Sequence, residues 1–119
     1  MESINFLEIL DEKIVKFINS HKDPEESGLL LTMWGHLQDV MATNPSIKTA
    51  SPREQYDKVI KLLMQEVAGS AGDLMRALKR DMACKGLTNF ALIKAENDQR
   101  IAMTLTRKVL YVWNRAQGD

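Results

Sequence analysis

The sequence has little of the residues on which disulfide-linked or metal-held folds depend. One cysteine and two histidines occur among its 119 residues, which excludes an intrachain disulfide and a multi-cysteine zinc site. No HxxxH, HExxH, phosphate-binding or dinucleotide-binding pattern is present. Cys84 and His36 are the one conceivable nucleophile and base, and they lie in no catalytic motif. We therefore expect a protein that is not an enzyme and that carries no cofactor and no metal.

A long apolar run is also absent. The longest stretch without a charged residue, 27–38, is shorter than the roughly 18 apolar residues that a membrane span requires. The first twenty residues carry four acids, which is the wrong charge for the start of a secretory signal. We therefore expect a soluble, cytoplasmic protein that does not enter a membrane.

Only three prolines interrupt the chain, and between them apolar residues recur at three- and four-residue steps. This spacing is typical of amphipathic helices, and no segment alternates as a strand would. We predict an all-α fold, a single helical-bundle domain over residues 1–119. Its five helices are expected at 4–19, from 24 to just before 44, from 52 to just before 69, at 73–85 and at 88–116.

Capping residues indicate where two of these helices begin. Asp23 precedes Pro24, so its carboxylate can accept backbone amide hydrogens while the proline takes the first helical position. Ser51 and Glu54 have the spacing of a capping box around Pro52. Both patterns predict that a helix begins at the proline.

Two interruptions are expected in the second half of the chain. The stretch GSAG, 69–72, predicts a break between the third and fourth helices. In the last segment, a register centred on Leu105 places Lys94 and Asp98 on the apolar side. Either these two residues form an i,i+4 ion pair on an exposed, projecting part of one long helix, or the chain bends or breaks near Asn97. We favour the break.

Charge is distributed unevenly although the net charge is zero. Residues 1–75 hold seven basic and twelve acidic side chains, whereas 76–119 hold nine basic and four acidic ones. Helical spacing places the later bases beside the apolar stripe, together with a tyrosine. Such a face can follow a phosphate backbone and stack an exposed base, although a solvated charged face has the same composition. The predicted nucleic-acid-binding residues are Arg76, Lys79, Arg80, Arg100, Arg107, Lys108, Tyr111 and Arg115.

Four other residues predict a protein-binding surface. Gly28 and Gly35 lie seven residues apart in the second helix, where each costs about 1 kcal/mol relative to alanine. Their position indicates close approach by another helix or another copy of the chain, with a kink as the alternative. Met103 and Leu110 fall on the outward side of the last helix, where they would form an apolar strip.

These features favour a non-enzymatic helical subunit or adaptor of a nucleoprotein assembly. It would bind the backbone of a single-stranded or heteroduplex nucleic acid without sequence specificity, and would contact other protein subunits or a second copy. In size, helical content and mixed surfaces the chain resembles the small helical subunits of CRISPR effector complexes, which line the bound guide and target strands. This resemblance in character implies RNA binding, a role in antiviral defence and no catalytic role.

The alternative is a protein-interaction module, such as a phage or bacterial regulator, inhibitor or immunity-type protein. Its acidic first half would be the working surface, and self-association would pair the oppositely charged halves. Oligomers that dissociate in salt, without nucleic-acid binding, would favour this alternative.

Overall fold

The computed structural model describes residues 6–84 and 89–118, with the side chains of all of these except 81–91 and 118. The described residues form helices and short connections without a strand, so the all-α prediction is confirmed. They contain four α-helices where five were predicted. The elements are α1 (Phe6–Asn19), α2 (Pro24–Ala42), a 3-10 helix (Pro45–Thr49), α3 (Pro52–Cys84) and α4 (Asn89–Gly118).

The predicted caps begin α2 and α3. Asp23 Oδ1 accepts a hydrogen bond of 3.0 Å from the backbone N–H of Glu25, and the helix starts at Pro24. Ser51 Oγ accepts from the backbone N–H of Glu54 at 3.3 Å and donates to Glu54 Oε1 at 3.3 Å. Each cap provides a partner for an amide hydrogen that the first helical turn leaves unpaired.

The predicted break at 69–72 is wrong, because α3 runs without interruption through GSAG. Ser70 in this stretch is buried, and so is Ala77 on the same side of the helix two turns later. Small side chains allow α3 and α4 to approach each other closely here. Two glycines each lower helix propensity by about 1 kcal/mol, but packing of a long helix against its neighbours outweighs propensity.

The predicted break near Asn97 is also wrong, because α4 is one continuous helix. Lys94 Nζ donates to Asp98 Oδ2 at 2.8 Å, so these residues form the i,i+4 ion pair of the other alternative. Asn97 Oδ1 accepts from Arg100 at 3.4 Å instead of capping a new helix. The Lys94 side chain is 67% exposed, so the pair lies on a part of α4 beyond the main core, where its charges remain in contact with water.

Helices α3 and α4 form a long antiparallel pair. Tyr56, near the start of α3, stacks on Trp113, near the end of α4, with ring centroids 4.4 Å apart. Asp73 and Asp98 line one cleft further along the pair. At 1.5 Å per residue the two helices are about 50 and 45 Å long, and the molecule accordingly measures 62 × 31 × 26 Å.

Helices α1 and α2 complete the core at the end of the pair where α3 begins and α4 ends. Trp34 and Trp113 are both buried there, as predicted. Further along the pair, the buried residues among the described side chains are small, namely Ser70, Ala77 and Ala95, so these positions bury less apolar surface. The core consists of Phe6, Leu10, Ile14, Ile18, Leu30, Trp34, Leu37, Met41, Val59, Leu63, Ile101, Leu105, Val109, Val112 and Trp113.

Candidate nucleic-acid interface

The basic residues predicted to bind nucleic acid do not share one surface. Arg76 and Arg80 line a cleft between α3 and α4 together with Asp73, Lys94 and Asp98. Arg76 is ion-paired with Asp73, and Lys94 with Asp98. This cleft therefore contains carboxylates beside its cations, which weakens its attraction for an anion.

The bases of α4 lie elsewhere. Lys108 is ten residues beyond Asp98 along α4, a distance of about 15 Å. Arg100 is ion-paired with Glu26 of α2, and Glu26 Oε2 also lies 3.5 Å from His21 Nε2. Arg100 is thus a link between α4 and α2, and its charge is matched within the chain.

A cationic groove between α1 and α4 brings together the predicted residues nearest the end of α4. On the α4 side it is lined by Lys108, Tyr111 and Arg115, which lie at helical spacings of three and four residues. The groove has a volume of about 390 Å³. Its lining residues are Lys13, Lys16, Phe17, Ser20, Lys108, Tyr111, Val112 and Arg115.

The rotation of each helix explains why these side chains converge. Ile14 of α1 and Val109 of α4 are fully buried and fix which side of each helix faces the core. Lys13 and Lys108 each precede one of these residues, so each lies about 100° around its helix from the buried side. The two lysines therefore flank the same seam between the helices.

The aromatic rings of the groove hold one of its cations. Lys108 Nζ lies 4.5 Å from the centroid of the Tyr111 ring and 5.3 Å from that of Phe17. A cation over an aromatic face is attracted by the ring quadrupole and keeps its charge for a ligand. Tyr111 is 53% exposed, so its ring also offers surface to a planar group from solution.

Acidic side chains offset little of the positive charge of this groove. Lys16 Nζ lies 3.8 Å from Glu12 Oε1, and both side chains are more than two-thirds exposed, where an ion pair contributes little. Among the described residues, Lys13, Lys108 and Arg115 form no salt bridge. The groove thus presents four cations against one carboxylate.

A shallower recess extends the groove along α4. It is lined by Phe17, Thr104, Arg107, Lys108 and Tyr111, with a volume of about 260 Å³. Arg107 is exposed and adds a further cation at the edge. The cationic surface therefore continues along α4 for about two turns.

Sequence reasoning missed Lys13 and Lys16 because they lie in the acidic half of the chain, and it assigned Phe17 to the apolar stripe of the first helix. Their spacing along α1 was a detectable signal, since Lys13, Lys16 and Phe17 share one flank beside the apolar stripe. No periodicity could indicate which other helix would lie next to that flank. Lys79 of α3 remains exposed and outside the groove.

The other candidate residues lie apart from this groove. The His36 side chain is 63% exposed, with Nε2 3.9 Å from Glu66 Oε1. The Cys84 side chain lies outside the described residues. Apart from the adjoining backbone of α2, no described atom would come within 4 Å of a β-carbon added at Gly28 or Gly35, so the close approach by another helix expected there is absent within the described chain.

Among the described residues, no group of three or more histidine, cysteine or acidic side chains is arranged to hold a metal ion. Within the same ranges, no helix combines the length and apolarity needed to cross a membrane. Met103 and Leu110 are 36% and 38% exposed on the outer side of α4.

The chain was also compared with known proteins. No family model, no curated protein and no solved structure matches it.

Proposed function

We propose that the protein is a non-enzymatic helical subunit or adaptor that holds a single-stranded nucleic acid by its backbone in the cationic groove. One observation carries this proposal: Lys13 and Lys16 of α1 and Lys108 and Arg115 of α4 line the same groove, beside the exposed ring of Tyr111. Cations that follow a groove bind phosphates, and an aromatic platform stacks bases of any sequence.

A single strand fits these features better than a duplex. In a duplex the bases are paired and stacked on each other, so Tyr111 would have no free base face to contact. In a single strand the bases can turn towards the ring while the phosphates contact the lysines and Arg115. We therefore expect binding without sequence preference, in keeping with the likeness in character to the small helical subunits of CRISPR effector complexes.

The first test is the salt dependence of binding to a fluorescein-labelled oligouridine of about 12 nucleotides, followed by fluorescence anisotropy. Four phosphate contacts predict a slope of log Kobs against log salt of about −3, since each contact in a single strand contributes about 0.7. The Lys13→Gln/Arg115→Gln variant should reduce the size of the slope by about 1.4, because two contacts are lost.

Arg76→Gln/Arg80→Gln is the matched control, because it removes the same charge from the cleft between α3 and α4. Its slope should equal that of the unmodified protein. If both double variants gave the same slope, the groove between α1 and α4 would not be the site that binds the phosphates. Binding of a polyglutamate of similar length as tightly as the oligouridine would assign the groove to an acidic protein instead.

The second test addresses stacking on Tyr111. Tyr111→Ala should weaken oligouridine binding by about 1 to 3 kcal/mol, the usual contribution of one base stacked on an aromatic ring. Tyr111→Phe keeps the ring and should bind as the unmodified protein does. If both variants bind alike, stacking plays no part.

A protein-interaction module is the second candidate, and exposed apolar side chains on α3 and α4 favour it. Self-association through the oppositely charged halves is less favoured, because Glu26 and Arg100 already pair within one chain. Size-exclusion chromatography with light scattering across a salt series distinguishes a protein-interaction module from a nucleic-acid-binding subunit. Oligomers that dissociate in salt, together with no binding of oligouridine, would support this second candidate.

A further inference from the structure

One face of the α3/α4 pair is covered by α1 and α2, and among the described residues nothing packs over the opposite face. On α3, Glu66 and Asp73 line a groove against α2. Two residues along an α-helix correspond to a rotation of about 200°, so Met64 and Met75 point away from α2. Their side chains are 48% and 55% exposed, and Leu78 beside them is 41% exposed.

The same relation holds on α4. Ile101 lines the groove against α2 and Val112 lines the groove against α1. Met103 and Leu110 each lie two residues from one of them, and so point to the uncovered side. We name the uncovered side the back face, made of Met64, Val67, Ala71, Met75 and Leu78 on α3 and of Met103 and Leu110 on α4.

The back face has the form of a helix-binding surface. Its α3 residues recur at three- and four-residue steps over 64–78, a length of about 21 Å or four turns. This apolar ridge of α3, with Met103 and Leu110 exposed on the neighbouring helix, is a stripe against which one further helix can pack. Methionines are flexible and adapt to the side chains of a partner.

The edges of the back face are cationic. Lys61 and Lys79 lie along its α3 edge and Arg107 along its α4 edge, all exposed and without a salt bridge among the described residues. On the same edges Asp57 is paired with Arg53 at 3.2 Å, and Glu96 forms no salt bridge with any described residue. The edges therefore attract acidic groups.

These charges make a second copy of the chain an unfavourable partner for the back face. Lys61 and Lys79 lie nine residues on either side of Ser70, so a two-fold axis across α3 at that point would bring the lysines of the two copies together. If the two-fold axis instead runs parallel to the α3/α4 pair, α3 of one copy packs against α4 of the other. Lys61 of one copy then lies close to the level of Arg107 of the other copy. Like charges directly opposed are unfavourable in either arrangement.

We propose that the back face binds an amphipathic helix of another protein whose apolar stripe is flanked by glutamates or aspartates. The apolar stripe would pack between Met64, Met75 and Leu78 of α3 and Met103 and Leu110 of α4, and the acidic flanks would meet Lys61 and Lys79. This proposal does not depend on the nucleic-acid groove, with which the back face shares only Arg107 at its edge.

The probe for this proposal is a fluorescein-labelled synthetic helix of three heptads, with leucine at the a and d positions and glutamate at e and g. Glutamates at e and g repel each other between copies and keep the peptide from pairing with itself. A twin peptide carries lysine at e and g. The glutamate peptide should bind at least about tenfold more tightly than its twin in fluorescence anisotropy, with an affinity that falls as salt is added.

Two variants identify the surface. Met75→Gln/Leu78→Gln should weaken binding of the glutamate peptide by about tenfold or more, because both side chains leave the apolar contact. Leu31→Gln on α2 is the matched control, since Leu31 is 50% exposed and lies off the back face; its affinity should be unchanged. Circular dichroism melting establishes that each variant is folded.

Charge reversal gives a result that a loss of folding cannot imitate. Lys61→Glu/Lys79→Glu should invert the preference, so that the lysine peptide becomes the tighter ligand. An unchanged preference, or no binding of either peptide by the unmodified protein, would overturn the proposal. Dimers in sedimentation velocity that Met75→Gln/Leu78→Gln dissociates would overturn it in favour of a second copy.

Discussion

At the scale of single residues, Asp11 shows how a contact in the fold changes the meaning of a charge. In the sequence Asp11 and Glu12 look like two surface acids of one helix. In the structure Asp11 Oδ1 accepts a hydrogen bond of 2.8 Å from the indole N–H of Trp34 and one of 3.3 Å from Gln38. Trp34 is 2% exposed, and this carboxylate provides the acceptor that the N–H of a buried indole needs.

Replacement of Asp11 by alanine should lower the free energy of unfolding by about 1 to 3 kcal/mol, because the buried indole N–H loses its acceptor. Urea denaturation followed by tryptophan fluorescence measures the change. Glu12→Ala, on the exposed neighbour, should alter the same free energy by less than about 0.5 kcal/mol. Equal effects of the two substitutions would contradict a role for the indole hydrogen bond.

At the scale of the helices, the local sequence predicts a break at two points where the packed structure has a continuous helix. GSAG is a poor helix-forming stretch, and Lys94 and Asp98 are poor candidates for the inner side of a helix. Both occur inside the long α3/α4 pair, where each helix is supported by the other along its length. A break at either point would leave buried backbone groups without partners.

Since α3 is helical through GSAG, alanine at Gly69 should stabilise the protein by about 0.5 to 1 kcal/mol. Apart from the adjoining backbone of the helix itself, no described atom lies within 4 Å of the position of a β-carbon at Gly69, so the added methyl group meets no obstacle. The melting temperature measures the gain, and Gly69→Pro is the opposing variant, which should destabilise the helix by about 3 kcal/mol. A lower melting temperature for Gly69→Ala would mean that this stretch is not helical.

The ion pair of α4 yields a prediction on protonation. The hydrogen bond from Lys94 to Asp98, together with the attraction of that carboxylate, raises the pKa of Lys94 above its ordinary value. Because the folded-state pKa is raised, the pair stabilises the fold at neutral pH, and its contribution is lost as the pH rises through the pKa of Lys94. Asp98→Asn should lower the pKa of Lys94, as measured by NMR titration of its ε-methylene group. An identical pKa in both proteins would contradict the pairing.

At the scale of the whole molecule, the core is concentrated at one end. The radius of gyration of the molecule, measured over Cα atoms, is 16.5 Å. A compact domain of this length has a radius of gyration of about 13.5 Å. The far part of the α3/α4 pair projects from the core, and its described side chains that are buried are small, namely Ser70, Ala77 and Ala95. The cationic groove lies at the core end, whereas the back face extends along both parts.

This asymmetry predicts two levels of protection in amide hydrogen exchange. Amides of 71–80 and 92–98 should exchange faster than those of 56–67 and 101–113, because less apolar burial opposes their local opening. Mass spectrometry of peptides from these four ranges measures the difference. If all four ranges exchanged at one rate, the two parts of the pair would open together and the projecting part would not be the weaker one.

The sequence by itself determined the helical class, the starts of α2 and α3 at Pro24 and Pro52, and the sides of the helices that carry Trp34 and Trp113. These features depend on residues close together in the chain, where capping and a period of 3.6 residues act locally. The tertiary structure alone decided that α3 and α4 are continuous, that Lys13 and Lys16 join Lys108 and Arg115, and that Arg100 is matched by Glu26. These features depend on which helices become neighbours, and that choice is made by the packing of the whole core, which no local pattern of residues records.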